Sequence, residues 1–286
     1  MIRHIGLLIV FGCVLGGFLI AGGKIPTLIQ PAEFIVIAGA AAGSLIVSLT
    51  PTMLRKLLRR ILGVFGRTPY TVHAAGELLR LLYQLTVVAR REGVLALERH
   101  VREPHSSPLF SGYPVITGNP RLMRFIIEAL MLQVDGAVDP DDLREILDTE
   151  LDTHHGEESV PGNVLQKMGD ALPGLGIVAA VLGIIITMGH MDGGPEVVGH
   201  HVAAALVGTF LGVLLAYGLV QPLVTAMEGN LRDEENFLEA VKSGMIAFAH
   251  GKAPVVVTEV ARRTFFEYNR PDREATEEAC KALRAA

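Results

Sequence analysis

Four apolar stretches constrain this chain most, because each is long enough to cross a lipid bilayer as a helix. They cover residues 5–21, 34–49, 171–188 and 202–224. A transmembrane helix needs about 20 mostly apolar residues, or somewhat fewer when flanking groups reach the interface. Half of the 286 residues are hydrophobic and none is Trp, a mixture that is unusual for a soluble domain. We therefore expect an all-α integral membrane protein with four transmembrane helices and a sizeable helical polar part.

The basic residues set the expected orientation in the membrane. The segment after the second span carries Arg55, Lys56, Arg59, Arg60 and Arg67 without an acidic residue, whereas the linkers 22–33 and 189–201 hold one Lys between them. Cytoplasmic loops carry an excess of Lys and Arg, so both termini and the long middle segment are expected in the cytoplasm. The expected segments are a first transmembrane hairpin 1–50, a helical cytoplasmic domain 51–170, a second transmembrane hairpin 171–227 and a cytoplasmic helical tail 228–286.

The first apolar stretch has a second interpretation as a signal peptide, because it is short and follows the basic start MIRH. Two features favour a retained helix instead. The segment LIAGGK is a poor cleavage site, and another span follows after about a dozen residues.

Helical periodicity and capping signals run through the polar segments. Leu78, Leu81, Leu82, Leu85 and Val88 fall on one helical stripe, with Arg80, Arg90 and Arg91 off it. Asp139 is expected to cap a helix that has Pro140 in its first turn. Gly251 is expected to close a helix that follows the fourth span.

Several function classes lack their usual signatures. The sequence has no GxSxG, Walker or HExxH motif and no cysteine pair at metal-ligand spacing, so we do not expect an enzyme. The net charge is −5 and no dense basic stripe extends beyond the juxtamembrane set, so nucleic acid is not an expected partner. Cys13 lies in the first span and Cys280 in the tail, which leaves no periplasmic pair for a disulfide.

Two histidine clusters raise the question of a metal site. They are the HHGEE segment, His154 to Glu158, and a set formed by His190, His200 and His201. No second ligand set at a suitable spacing accompanies either cluster. We therefore interpret both as solvated loop and helix-end residues, with no resident metal.

Small residues recur at every fourth position in all four spans. They are Ala204, Gly208, Gly212 and Ala216 in the fourth span, Gly176 and Ala180 in the third, Gly39 and Gly43 in the second, and Gly12 and Gly16 in the first. Such stripes let membrane helices approach closely. The pattern alone leaves two uses open, which are contacts within one four-helix subunit and contacts of the third and fourth spans with another subunit.

The third and fourth spans contain no Asp, Glu, Lys or Arg, although a transport path normally contains an ionisable residue at membrane depth. Thr209 is polar, but a membrane threonine usually donates its hydroxyl to the carbonyl four residues earlier. On the residues alone we expect no more than an oligomeric inner-membrane protein with a helical cytoplasmic domain.

Four blocks carry a family resemblance. They are GGKIPTLIQPAEFIVIAGAAAGSLIV, YQLTVVARREGVLALERHVREP, ALPGLGIVAAVLGII and LVGTFLGVLLAYGLVQPL. Together they resemble the flagellar stator A subunits of the MotA/TolQ/ExbB proton-channel family, over a match that extends to about Tyr268. The four spans separate the chain from the three-span TolQ/ExbB type. A sodium-driven stator subunit, a TolQ/ExbB-like energiser of an outer-membrane process and a non-transporting scaffold remain as alternatives.

The resemblance implies a complex in the bacterial inner membrane in which five A subunits ring two single-span MotB-type subunits. The MotB-type helix would supply the ion-binding aspartate that this chain lacks. The residues implied in the ion pathway are Thr209, Ala180, Tyr217 and Thr187, and those implied in close helix packing are Gly176, Gly208, Gly212 and Ala216. The resemblance also bears on the ion. Sodium-driven relatives carry Thr where this chain has Ala180, so the proton is the expected ion. No cofactor is expected.

The resemblance also implies roles outside the channel. Pro173 and Pro222 would transmit changes in the channel to the cytoplasmic domain. Arg90 and Glu98, with Glu150 as a weaker candidate, would contact a rotor switch protein of the FliG type. If their helix is unbroken, Arg90 and Glu98 lie roughly 80° apart around it, but Gly93 stands between them. Neither the resemblance nor the pattern gives a role to the tail after Tyr268.

Overall fold

A computed structural model of the chain describes residues 2–136, 138–189, 192 and 194–285. All secondary-structure elements within those residues are helical. The chain divides into two compact units. The membrane unit combines Met1–Arg67 with Glu158–Gly229, and the polar unit combines Thr68–Glu157 with Asn230–Ala286.

The α-helices, in chain order, are α1 Ile2–Ile20, α2 Ile25–Leu28, α3 Pro31–Ser48, α4 Pro51–Val64, α5 Val72–Glu92, α6 Glu98–Arg102, α7 Pro108–Ser111, α8 Pro114–Thr117, α9 Pro120–Val134, α10 Pro140–Met188, α11 Pro195–Leu215, α12 Gln221–Ala249, α13 Pro254–Thr264 and α14 Arg273–Ala285. Short 3₁₀ helices cover Val94–Leu97 and Glu267–Asn269, and a π-helical turn covers Ala216–Val220. Proline opens many of these helices, since its missing N–H is no loss in the first turn.

Within the residues that the structure describes, four helical segments are long and apolar enough to cross a membrane. They lie in Arg3–Ile20, Ile25–Ser48, Pro140–Met188 and Pro195–Ala249. The predicted all-α membrane fold with four spans is therefore confirmed. In the membrane unit, α2 and α3 pack on α11, and α1 packs on the π turn.

The helix α10 runs without a break through the HHGEE segment. Asp139 caps it as predicted, because its Oδ1 accepts hydrogen bonds from the amides of Asp141 and Asp142 at 2.8 and 2.9 Å. The interpretation of the whole HHGEE segment as solvated loop or helix-end residues was wrong. His154 and Glu158 are buried, because they lie on faces of α10 that pack within the polar and the membrane unit respectively.

Glu158 is held by two cations from α4, the helix that directly follows the second span. Its Oε1 lies 3.0 Å from Lys56 Nζ, and its Oε2 accepts a hydrogen bond from Arg60 Nε at 3.1 Å. A buried carboxylate is stable only when paired and hydrogen-bonded. The ion triad therefore fixes the basic helix α4 against α10 within the membrane unit.

The fourth span ends in a π turn that the sequence pattern did not predict. The amide of Gln221 donates to the carbonyl of Ala216, five residues earlier. Pro222 follows directly. It has no N–H, and its ring would clash in a regular α-helix with the carbonyl four residues earlier, that of Gly218. The wider turn directly before Pro222 departs from that regular α-helical geometry. Single π turns of this kind occur inside α-helices.

The core of the polar unit is built around α5. Leu78, Leu81, Leu82 and Leu85 are buried as the stripe predicts, while Val88 is half-buried. Leu79 is also fully buried, because α13 and α14 pack against α5 as well. The last of these, α14, lies in the tail after Tyr268.

Two of the glycines with positive φ in this unit, Gly93 and Gly251, end α5 and α12. Gly93, at φ 88°, ends α5 after Glu92, so no unbroken helix connects Arg90 with Glu98. Gly251, at φ 67°, closes α12 as predicted, and its amide donates to the carbonyl of Phe248 at 2.8 Å.

Candidate functional site

The helices α10 and α11 cross in the membrane unit at a set of glycines. A Cβ built on Gly176 would lie 2.7 Å from the carbonyl oxygen of Gly208, and a Cβ on Gly212 would lie 2.5 Å from that of Leu172. Real Cβ atoms essentially never approach other atoms this closely. Backbone therefore packs on backbone at this crossing. Ala216, the last member of the small-residue stripe, is buried where the π turn begins.

Thr209 lies beside this crossing, with its backbone against Gly176. Its side chain makes no hydrogen bond within the described part of the chain. Thr187 behaves differently, because its buried hydroxyl donates to the carbonyl of Gly183 at 2.8 Å. The hydroxyl of Thr209 is half-buried and keeps both its donor and its acceptor capacity.

The other predicted pathway residues are placed differently. Ala180 is buried, and its backbone nitrogen lies 3.2 Å from where a Cβ on Gly208 would stand. It therefore flanks the same crossing as Thr209. Thr187 follows Ala180 on nearly the same face of α10, since seven residues turn through about 700°. Tyr217 is 61% exposed in the π turn, and none of the contacts described above brings its ring to the crossing.

Sequence reasoning missed one ionisable residue at the crossing, which is Glu33 of α3. The residue is only 8% exposed. A Cβ on Gly208 would lie 2.6 Å from its Oε2, and a Cβ on Gly183 would lie 3.5 Å from its Oε1. The signal was present in the sequence as an acidic residue at the start of the second span. Periodicity alone does not show that α3 packs against this crossing, so the sequence did not identify Glu33 as part of it.

The two prolines border one contact between α10 and the π turn. Pro173 lies inside α10, and the residue four positions before it is Gly169. A Cβ on Gly169 would lie 2.7 Å from Cγ1 of Val220, the last residue of the π turn. Pro222 is the second residue after that turn. A rearrangement at either proline would therefore act on the same packed surface.

The residues implied in the rotor contact lie on different elements of the polar unit. Arg90 is exposed in the last turn of α5 and forms no ion pair among the described residues. Glu98 begins α6, where its Oε1 pairs with Arg102 Nη2 at 2.7 Å. The 80° separation calculated for one continuous helix therefore does not apply.

Glu150 is less available than either of these residues. It is half-buried on α10. Burial in the first place, and the carboxylate of Glu128 in the second, raise the pKa of Glu150. Its surroundings therefore disfavour its charge.

The set formed by His190, His200 and His201 is only partly described. His190 lies outside the described residues. The rings of His200 and His201 meet edge to face, with centroids 6.0 Å apart. Within the ranges that the structure describes, no group of three or more His, Cys, Asp or Glu side chains is placed to hold a metal ion.

Two family profiles match the sequence. Motility protein A N-terminal matches residues 4–93, and the MotA/TolQ/ExbB proton channel family matches residues 119–240. Motility protein A of Escherichia coli is 36% identical over 284 residues, which are 99% of this chain and 96% of the relative. Chemotaxis protein LafT of Vibrio parahaemolyticus is 36% identical over 92% of both chains.

Two solved structures share the fold. One is MotAB of C. jejuni, with a TM-score of 0.78, 19% identity, and coverage of 95% of this chain and 98% of that chain. The other is the flagellar MotAB stator complex of Bacillus subtilis, with a TM-score of 0.75 and 23% identity. The match covers 96% of this chain and 98% of that chain. The four spans, the two profiles and the full-length match to the relative from Escherichia coli agree. The chain belongs to the MotA/TolQ/ExbB proton channel family, within its motility protein A group.

Proposed function

We propose that this chain is the A subunit of a flagellar motor stator, which forms an ion channel with a MotB-type partner and uses ion flow to drive the rotor. The observation that carries this proposal is the α10–α11 crossing. Glycines remove side chains from it, and Thr209 keeps an unused hydroxyl beside it. A hydroxyl in this state can donate to a carboxylate or accept from a carboxylic acid.

The partner supplies the ion-binding carboxylate in this proposal. The segments 171–188 and 202–224 contain no acidic residue, so an aspartate on a partner helix beside Thr209 would complete the pathway. Protons would enter from the periplasm, bind this aspartate and leave to the cytoplasm. Each charge that crosses supplies about 2.3 kcal/mol per 100 mV of membrane potential, which sets the scale of the work in each step.

The proposed ion is the proton. Sodium must exchange part of its hydration shell for several oxygen ligands, and the methyl group of Ala180 offers none. The carbonyl of Gly183 already accepts the Thr187 hydroxyl, so that hydroxyl is engaged within α10. Apart from the Thr209 hydroxyl and the Glu33 carboxyl group, the side chains named at the crossing therefore present no free oxygen atom to a sodium ion.

The proposed location is the bacterial inner membrane, with both termini in the cytoplasm. The basic face of α4 supports this orientation, since Arg55 and Arg59 are exposed directly after the second span. We propose five copies around two partner helices. Large apolar side chains that are exposed on the isolated chain are available for lipid and subunit contacts; they include Leu8, Ile35, Ile185 and Leu206.

In the polar unit, Arg90 is the proposed main contact with a rotor switch protein of the FliG type. It is an exposed, unpaired cation within the described residues, and such a group steers association with an acidic surface. Glu98 and, more weakly, Glu150 remain proposed as acidic contacts. Pro173 and Pro222 are proposed to transmit changes at the crossing to the polar unit.

Complementation of a strain that lacks its A subunit tests the function. The strain receives this gene with a proton-type B partner, and swimming is scored with and without sodium. Sodium-independent rescue supports a proton-driven stator. Rescue that requires sodium supports the sodium-driven alternative. A protein that inserts and binds the partner without rescue points to a mismatched rotor surface or to a different energised process of the TolQ/ExbB type.

The Thr209→Ala variant tests the pathway within that function. It should lower ion flux and swimming speed under load, because the partner carboxylate loses its hydrogen-bonding hydroxyl, while assembly with the partner is unchanged. Thr225→Ala is the matched control, since its hydroxyl is engaged with the carbonyl of Gln221. Equal speeds of Thr209→Ala and the unmodified protein under load would exclude Thr209 from the pathway.

A further inference from the structure

Glu33 is a buried acidic residue that the proposed pathway does not use. It is the third residue of α3 and is 92% buried. Its Oε2 has no hydrogen-bond partner among the described residues. An ionised carboxylate without a partner is costly to bury in protein or membrane, and a carboxylic acid in the same place carries no charge.

The carboxyl group of Glu33 lies at the crossing of α10 and α11. Its Oε2 occupies the space beside Gly208, the residue before Thr209, and its Oε1 lies toward Gly183. Gly183 is also the residue whose carbonyl accepts the Thr187 hydroxyl. The Glu33 side chain therefore reaches the same site as the proposed ion pathway.

The absence of a side chain at Gly208 makes room for the carboxyl group. A Cβ there would lie 2.6 Å from Oε2, 3.1 Å from the Cβ of Ala179 and 3.2 Å from the nitrogen of Ala180. These three atoms belong to α3 and to α10. The acid group is thus enclosed by backbone and small side chains, and a proton on it is shielded from bulk water.

The neighbouring elements supply no cation to Glu33. The helix α2 and the apolar part of α10, residues 171–188, contain no titratable side chain, and α3 contains no other one. The nearest titratable residue on the same face of α11 is His201, seven residues before Gly208 and therefore about two turns away. His200 precedes it, and Glu196 is exposed in the first turn of α11.

We propose that Glu33 is a second proton-carrying group of the ion pathway, located on the A subunit itself. It binds a proton on Oε2 while α3 packs against Gly183 and Gly208, and it releases the proton when this contact opens. On release the O–H bond breaks, the electron pair stays on the carboxylate, and a water molecule takes the proton as hydronium. Uptake is the reverse step. The inference rests on the proposed stator function and adds a site to the aspartate of the partner.

A carboxyl group that only fills space would show the same burial as one that carries a proton. The Glu33→Gln variant separates proton transfer from space filling. Glutamine has the size of the neutral acid but cannot exchange a proton at this position. Glu196→Gln is the matched control, because it removes one acidic group from an exposed site of α11. Neither substitution changes the glycines of the crossing.

The test is proton uptake by proteoliposomes that contain the full A–B complex at a fixed membrane potential. For Glu33→Gln we expect the flux to fall by about a hundredfold, the lower end of what a positioned proton-transfer group contributes, with an unchanged yield of complex. Glu196→Gln should match the unmodified protein. Unchanged flux in Glu33→Gln overturns the inference but not the stator function, whereas an unmodified complex that conducts no protons overturns both.

Infrared spectroscopy of the same complex gives a readout that does not depend on transport. The unmodified protein should show a carbonyl band of a protonated carboxyl group that shifts in D₂O and is absent from Glu33→Gln. If the glutamine variant does not assemble, Glu33→Asp replaces it, because it keeps a protonatable group. The inference then requires a displaced band and residual flux, and the absence of that band in Glu33→Asp overturns it.

Discussion

At Gly212, the missing side chain is what permits the contact between α10 and α11. Any larger residue would meet the carbonyl oxygen of Leu172 and the backbone of Gly176. Backbone atoms cannot rotate away as a flexible side chain can. The residue type at this position is therefore set by geometry and not by helix propensity, which would favour alanine over glycine.

The Gly212→Ala variant should destabilise the protein by about 1–3 kcal/mol, the usual cost of overpacking a close contact. Thermal unfolding of the purified complex in detergent measures the effect as a lower melting temperature. Gly199→Ala is the control in the same helix, because a Cβ there would meet no atom within 4 Å. Equal melting temperatures of the two variants would contradict the packing described at the crossing.

Cys280 of α14 gives a residue-scale test of the tail. Burial in the first place raises the pKa of its thiol to about 11, from an ordinary value of 9.0. A thiol pKa that is two units higher lowers the thiolate fraction near pH 8 by about a hundredfold. The thiolate is the reactive form of cysteine. Alkylation of Cys280 at pH 8 should therefore be at least about a hundredfold slower than that of an exposed thiol.

The comparison thiol is Ala282→Cys in a Cys280→Ser background, since residue 282 is exposed on the same helix. Labelling is followed by mass spectrometry of the tail peptide. Similar rates for the two thiols would show that α14 does not stay packed on α5 in solution.

At the level of single residues, the sequence pattern identified only part of the site. The recurrence of small residues pointed to Gly176, Gly208 and Gly212, because a helical period brings them to one face. It could not show which helix meets that face. Glu33 was missed for this reason, since its place at the crossing depends on how α3 packs and not on its own periodicity.

At the scale of elements, α4 is fixed by charge as well as by apolar contacts. Leu57 and Val64 are buried in the core of the membrane unit, while Lys56 and Arg60 bind Glu158 of α10. Removal of the carboxylate would leave two cations close together without a counter-charge. The ion triad is therefore the part of this contact most sensitive to substitution.

The Glu158→Gln variant should weaken the docking of α4 by about 2 kcal/mol, the scale of a lost hydrogen bond to a charged group. Hydrogen–deuterium exchange should show faster exchange of the α4 amides, with little change in α5. Glu145→Gln is the control, because Glu145 is an exposed acidic residue of the same helix. Unchanged exchange in α4 would show that the apolar contacts alone hold it.

Element boundaries were predicted well where a local signal exists. Asp139 and Gly251 marked helix ends because capping and positive φ depend on nearby residues. The π turn and the 3₁₀ segment Val94–Leu97 were not predicted. Pro222 and Gly93 signal a disturbance in the helix, but surrounding contacts decide whether the chain kinks, widens or stops.

At the scale of the whole molecule, the sequence predicted two hairpins and a helical polar part because lipid demands long apolar helices. The polar unit was harder to predict, since α14 lies in a segment without an assigned role and packs on the central helix α5. That contact is long-range in sequence. Only the folded chain shows that the tail packs on α5, the helix that carries Arg90.

Charge reversal tests the proposed rotor contact in the assembled motor. Arg90→Glu should impair motility more than Glu98→Lys, because Arg90 is unpaired in the described residues while Glu98 is already offset by Arg102. Swimming in soft agar gives the readout, and membrane insertion is checked by immunoblot. Arg144→Glu, at an exposed position of α10, is the control. Normal motility in an Arg90→Glu, Glu98→Lys double variant would exclude this surface.

The π turn places a strict limit on insertions and deletions in the fourth span. Each residue of an α-helix advances about 100°, so the extra residue in Ala216–Val220 rotates all later side chains by about that angle. Val224 and Met227 reach the core of the membrane unit in this rotated register. A relative that lost one residue here would keep both side chains but direct them away from that core. Chain length at this turn is therefore under tighter constraint than the identity of the residues that form it.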